Sequence, residues 1–192
     1  MIHLDILSGF VRSEKGNIAI LVMTDALTKW VVCVPIKNKT ASTIAEKFFN
    51  HWVLQHSFPE EVTTDGGSEI KGMYDRLCLL LKVKHIVINA YHPSENAQVE
   101  RKNKVISDFL SKHCQQDQSN WDEFVRLAAF HYNCSRHVVT KQIPFCLERG
   151  INPRLEIDQI LNTSISQNED MNINLWNKEV VPKLSKALNS AA

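Results

Sequence analysis

Charge of either sign is not in excess in this sequence: 22 lysines and arginines stand against 21 aspartates and glutamates, a formal net charge of +1. Bulk attraction to a polyanion is thereby excluded, and any nucleic acid has to be met by locally placed basic groups. Cysteine is sparse and unpatterned. The five residues, Cys33, Cys78, Cys114, Cys134 and Cys146, include no Cys-x-x-Cys pair and are odd in number. That argues against a disulfide framework and for a reduced intracellular setting. The eight histidines form no His-x-x-x-His pair and no Cys/His cluster, so no zinc is expected in this chain. Long hydrophobic runs are also missing. Ile18 to Met23 and Trp30 to Val34 are far too short to span a bilayer, so no membrane partner is expected. No charged-then-apolar segment of the signal-peptide kind opens the sequence.

What remains is an ordinary globular mixture. Hydrophobic residues make up 44% and charged residues 22% of 192 positions. That is enough apolar material for one compact domain with an appended tail. Ile2 to Leu7, Ile18 to Thr24 and Trp30 to Pro35 read as three strands, closed by Gly9, by Glu14 to Asn17 and by Asp25 to Lys29. Turns this short favour an antiparallel meander. Thr40 then opens a helix in which Ile44, Phe48, Trp52 and Gln55 recur at helical spacing, and Phe58-Pro59 ends it. A short strand, Glu61 to Thr64, runs into Asp65; a helix is expected from Ser68 to Leu81, and a fifth strand from Lys84 to Asn89. Late strands separated by helices favour parallel pairing. The sum is an α/β fold, a mixed five-stranded sheet flanked by helices. Tyr91 to Asn96 reads as a loop, and a helix is expected from Asn96 or Ala97 to His113. Ser119 is expected to cap the next helix, with Trp121, Phe124, Leu127, Ala128 and Tyr132 on its apolar face. Pro144 to Arg149 reads as a short turn or helix before Gly150. Residues 162–170 are polar and turn-rich, a linker composition, and a last helix is expected between Leu175 and Leu188.

Three acids stand at telling places. Asp5 lies inside an apolar strand, where a carboxylate is costly unless paired or bound to metal. Asp65 ends a strand before Gly66-Gly67, and Glu100 lies early in a helix. Each alone reads as a strand, turn or first-turn residue. Together, at strand ends and a helix start, they are where α/β proteins gather ligand groups. Three converging carboxylates repel one another, and one or two hard cations such as Mg²⁺ or Mn²⁺ would relieve that repulsion. Paired ions of this kind suit phosphoryl displacement.

The combination carries a resemblance. His3-Leu4-Asp5, Thr64-Asp65-Gly66-Gly67-Ser68 and His92-Pro93-Ser94-Glu95-Asn96-Ala97-Gln98-Val99-Glu100-Arg101-Lys102-Asn103 resemble the three blocks of the DDE integrase core. The pattern is closest to integrases of retroviruses and gypsy (Ty3)-type LTR retrotransposons. Val22 to Trp30, Trp121-Asp122-Glu123, Ile143-Pro144-Phe145, Arg149-Gly150 and Pro153-Arg154-Leu155 resemble its other stretches. The resemblance spans residues 1–158, leaving 159–192 as linker and helical tail. It implies an RNase H-like fold and a nuclear polynucleotidyl transferase that trims DNA 3′ ends and joins them to target DNA. Asp5, Asp65 and Glu100 would be its catalytic metal ligands, holding two Mg²⁺ (or Mn²⁺) ions, with DNA and further copies of the chain as partners. The departures are Ala97 where glycine is usual, Ile70 where an aromatic is frequent, and Ser107 where many members have a basic residue.

Around that site, Asn103 and Lys104 share the helical face of Glu100 and are expected to contact DNA. His92 is a further DNA-contact candidate, and Tyr91 could stack on a base. Arg101 and Lys102 are expected to lie off that face, on a solvated surface. Asp25 is read as a turn residue satisfied by Thr24 and Thr28. The alternative to an active enzyme is a domesticated integrase-like protein that binds nucleic acid or protein without catalysis. An RNase H-like nuclease would share fold and metals.

Overall fold

The computed structural model describes residues 1–65, 79, 83–88, 93–114 and 118–154, with positions 65, 85, 87, 88 and 93–98 described for the backbone only. Five strands form one sheet: β1 (Ile2–Leu7), β2 (Ala19–Asp25), β3 (Val31–Ile36), β4 (Glu61–Asp65) and β5 (Lys84–Ile88). Their spatial order is β3-β2-β1-β4-β5. The first three pair antiparallel, while β1–β4 and β4–β5 are parallel, as the short early turns and later crossovers lead one to expect. Pro35 stays within β3, opposite Ile20. Because β3 is an edge strand, the missing N–H costs no ladder bond on its outer side.

Helix α1 (Ala41–Phe48) begins at Thr40, whose hydroxyl accepts from the Thr43 N–H. It continues through a π-helical turn, Phe49–Val53, and one last turn, Leu54–His56. Ile44, Phe48 and Trp52 are buried as their spacing predicts, but Val53 is buried in place of Gln55, which is exposed. The π turn adds one residue to the repeat and rotates the following side chains about the axis, a shift that ordinary helical periodicity does not anticipate.

Helix α2 (Pro93–His113) starts at Pro93 rather than at residue 96 or 97. Proline lacks only an N–H that a first helical residue leaves unpaired anyway, so it opens the helix instead of belonging to a loop. Helix α3 (Trp121–Cys134) follows Asn120. Ser119 does not cap it; its hydroxyl donates to Glu14 instead. The five apolar positions foreseen on α3 are all buried. Helix α4 (Pro144–Arg149) ends at Gly150, which adopts the left-handed conformation at φ 70°. The helix expected at 68–81 lies outside the described residues apart from Leu79, and so does the tail beyond 154.

Strand β2 explains the layering. Ala19, Leu21 and Met23 join Ile2, Leu4, Ile44, Phe48 and Trp52 in one apolar cluster, on the α1 side. Ile20 and Val22 join Cys33, Ile106, Phe109, Trp121 and Val125 in the other, under α2 and α3. The sheet is thus covered on both faces, with α2 and α3 on the Ile20 and Val22 side. Edge strand β3 is tied to α3 by Asn133, whose amide accepts from Val31 N–H at 2.8 Å and donates to Val31 C=O at 2.7 Å. Among the described cysteines, Cys33, Cys114, Cys134 and Cys146 are all free thiols.

Candidate metal and nucleic-acid site

Asp5 sits on the central strand, paired with Val22, which in turn pairs with Cys33. Directly paired residues share a face, so Asp5 stands on the α2 side. Two consecutive α2 residues reach the same oxygen. The Asn103 amide Nδ2 donates to Asp5 Oδ2 at 2.8 Å, and the Lys102 ammonium lies 4.0 Å from that oxygen. Lys102 Nζ also donates to Thr24 Oγ1 at 3.2 Å. Its side chain is only 4% exposed, against 14% for Asp5. Lys102 is therefore not the solvated surface residue its charge suggests. Thr24 serves Lys102, while the turn is held by Asp25, which accepts from Thr28 N–H at 2.7 Å and Thr28 O–H at 2.8 Å, and by Thr28 Oγ1, which accepts from Trp30 N–H at 3.2 Å.

The field of this pair reaches β3, on the far side of β2. Burial pushes the Cys33 thiol up to about 12, with Asp5 adding to that shift and the Lys102 ammonium opposing it. On β1 itself, His3 Nδ1 meets Thr63 Oγ1 of β4, which ties the two strands on the face that carries Asp5.

The other predicted residues fall as follows. Asp65 closes β4, its backbone paired with Ile88, and the preceding pair Leu4–Thr64 sets it on the strand next to Asp5. Glu100 is exposed on α2, three residues before Asn103. Lys104 and Arg101 are exposed on the same helix. Asn103 is engaged with Asp5 rather than open to solvent. His92 and Tyr91 lie outside the described residues, as does the Asp65 side chain. Among the described residues no three His, Cys, Asp or Glu side chains form a metal-holding group.

The donor set nonetheless fits a hard cation. Asp5 offers a carboxylate on a strand floor, and the Asn103 amide oxygen beside it is buried with no hydrogen-bond partner among the described residues. Oxygen ligands of this kind, with a lone pair unspent, are what Mg²⁺ and Mn²⁺ take.

Lys102 was the residue hardest to foresee, although a signal existed. The buried stripe of α2 is Ile106, Phe109 and Leu110, and one turn earlier the same stripe lands on Lys102.

Comparison with known proteins agrees with this geometry. No protein-family model matches the chain. It is 29% identical over 147 residues to the retrovirus-related Pol polyprotein from transposon 412 of Drosophila melanogaster, covering 76% of this chain. It is 28% identical to a gypsy retrotransposon integrase-like protein of Macaca fascicularis over 98% of its length, and 30% identical to that of Bos taurus over 80%. The chain spans 12%, 42% and 30% of those relatives, respectively. Among solved structures, the HTLV-2 integrase catalytic core in complex with magnesium matches with a TM-score of 0.57 at 18% identity, covering 75% of this chain and 92% of that one. The catalytic core of BIV integrase matches with a TM-score of 0.56 at 18% identity, covering 84% and 97%. A chain of the simian T-cell lymphotropic virus intasome matches with a TM-score of 0.58 at 18% identity, covering 80% and 55%. By sequence relationship the chain belongs to the gypsy retrotransposon integrase-like family, and its fold is that of the retroviral integrase cores, built on an RNase H-like sheet.

Proposed function

We propose that this chain is the core of a metal-dependent polynucleotidyl transferase that processes element DNA ends and joins them to target DNA. The observation that carries this reading is Asp5 on the central strand, gripped by Asn103 from the helix that bears Glu100. Asp5, Asp65 and Glu100 would hold divalent ions, two when the site is full. Bound ions of this kind activate the attacking oxygen and stabilise the leaving one in phosphoryl transfer.

The chain's own part is positioning. Asn103 fixes the rotamer of Asp5 by donating to Oδ2. The sheet sets Asp65 on the adjacent strand. Lys104, exposed on α2 and on the helical face of Glu100, would meet DNA phosphates, which position a duplex without reading its sequence. His92 belongs to the same proposed DNA contact. Assembly of several copies on DNA and action in the nucleus belong to this reading too. The assembly draws support from the intasome and trimeric-core descriptions of the structural neighbours.

The test is Asp65→Asn. Mg²⁺-dependent nicking and joining of a short DNA duplex is expected to fall by at least about a thousandfold, with cooperative unfolding retained. Full activity in that variant refutes the assignment. A second reading, an integrase-like protein that binds without catalysis, draws on the relatives named integrase-like and on the buried cation already beside Asp5. Calorimetry separates the two, since a binding-only protein takes up no Mn²⁺ at millimolar concentration.

A further inference from the structure

We infer that Lys102 is a resident cation of the carboxylate site, which a divalent ion has to oppose in order to bind Asp5. The inference rests on the metal-site reading above and deepens it. It assigns to this chain a residue that weakens metal binding and is not itself a ligand.

The geometry is specific. Lys102 occupies the first position of the buried stripe of α2, above Ile106, Phe109 and Leu110. An ammonium in such a place needs charge and hydrogen-bond partners to remain there. Its partners include Asp5 Oδ2 at 4.0 Å and Thr24 Oγ1 at 3.2 Å. Thr24 lies on β2, in register with His3 of β1, so the two partners come from adjacent strands. The helix sets the stem and the threonine holds the tip, and the charge is thereby fixed beside the carboxylate.

A divalent ion bound to Asp5 would lie about 2 Å from a carboxylate oxygen. The ammonium, 4.0 Å from Oδ2, would then be a like-charged neighbour within a few ångströms. Repulsion at that range in a partly buried site is large on the scale of binding free energies. The charge balance points the same way. In the proposed site Asp5, Asp65 and Glu100 would carry three negative charges, and Lys102, beside Asp5, would cancel one. One divalent ion neutralises the remainder, and a second leaves an excess that anionic DNA phosphates can offset. Metal loading is therefore weak in the free chain and strengthened by nucleic acid.

The experiment is Mn²⁺ titration of the full chain by calorimetry and by electron paramagnetic resonance of free Mn²⁺, without DNA. It compares the unaltered chain with Lys102→Met, Lys102→Gln, Lys102→Arg and Asp5→Asn. Methionine matches the stem and suits an apolar stripe; glutamine is a second neutral variant should methionine not fold. The neutral variants are expected to bind Mn²⁺ at least about tenfold more tightly, whereas Lys102→Arg keeps the affinity within about threefold of the unaltered chain. Rescue by arginine separates a charge effect from a packing effect. If the unaltered chain binds Mn²⁺ through Asp5 and a folded neutral variant binds no more tightly, the inference is overturned and the metal-site reading stands. If neither the unaltered chain nor the neutral variants bind Mn²⁺ at millimolar concentration, both are overturned.

Discussion

Replacing Asp122 with alanine should cost this fold about 3 kcal/mol. Asp122 stands in the first turn of α3 and is buried. Its Oδ2 accepts two hydrogen bonds at 2.6 Å, from Ser13 Oγ and from Asn17 Nδ2. Both donors belong to the connection between β1 and β2 and are themselves buried. Hydrogen bonds to a charged group contribute about 1.5–3 kcal/mol each, so the two together offer about 3–6 kcal/mol. Against this stands the burial of Asp122 Oδ1 without a partner, a cost of about 1–3 kcal/mol that alanine removes. Alanine also strands the Ser13 hydroxyl and the Asn17 amide, which keeps the net loss near the middle of that span. Urea unfolding followed by tryptophan fluorescence measures it. The midpoint should fall at unchanged slope, and a double-mutant cycle with Ser13→Ala should return a coupling of about 1–2 kcal/mol. The control is adjacent: Glu123 pairs with the exposed Lys15 at 3.0 Å, and Glu123→Ala should cost under about 1 kcal/mol. A loss below about 1 kcal/mol for Asp122→Ala would refute the claim that this carboxylate clamps the hairpin to α3.

Two further outcomes are expected. Burial, with His113 and Lys112 adding, holds His131 down from 6.5 to about 4. The unfolded chain therefore binds a proton that the native chain refuses, so this contribution to stability is present above pH 6.5 and lost as pH falls towards 4. The loss should be on the order of 2 kcal/mol, given the partial exposure of the ring. His131→Phe, which keeps the contact with Phe109, should flatten that limb of the stability–pH curve; an unchanged slope counts against it. Cys33 and Cys134 are buried, and burial pushes both thiols up to about 12. Thiol-labelling reagents at pH 8 should leave both unmodified until the chain unfolds, and rapid native labelling of either, read by mass spectrometry, would contradict the packing.

The sheet was legible because its strands are short apolar runs between turns, and the two pairing modes follow from connection length. Ile44, Phe48 and the stripe on α3 were legible from helical spacing. What escaped has identifiable causes. The π turn at Phe49–Val53 changes the period within a continuous helix, so Val53 replaces Gln55 in the core. Pro93 reads as a breaker unless the helix begins on it. Ser119 resembles a cap, yet its hydroxyl is spent on Glu14, across the long separation between the β1–β2 connection and α3. At the site, the order and residue types of Asp5, Asp65 and Glu100 were visible, but not which α2 residues would touch Asp5. A charged side chain is assigned to solvent by default, and the apolar stripe of α2 that runs back from Ile106 to Lys102 was the one cue against that assignment.

That placement has a mechanical consequence for Glu100. Asn103 and Lys102 point from α2 at azimuths about 100° apart, yet both reach Asp5 Oδ2, one by hydrogen bond and one by charge. Rotation of the helix in either direction withdraws one of them, so the two contacts fix α2 about its own axis more firmly than apolar packing alone would. Glu100 lies three residues before Asn103, about 60° away in azimuth and about 4.5 Å along the axis. Lys102 is about 160° from Glu100, on the far side of the helix. Asn103 therefore governs the direction of Glu100, and Lys102 governs the charge that Asp5 presents to an incoming cation. The neighbours on one helical turn thus divide the work of geometry and electrostatics, and neither has to be a metal ligand to do it.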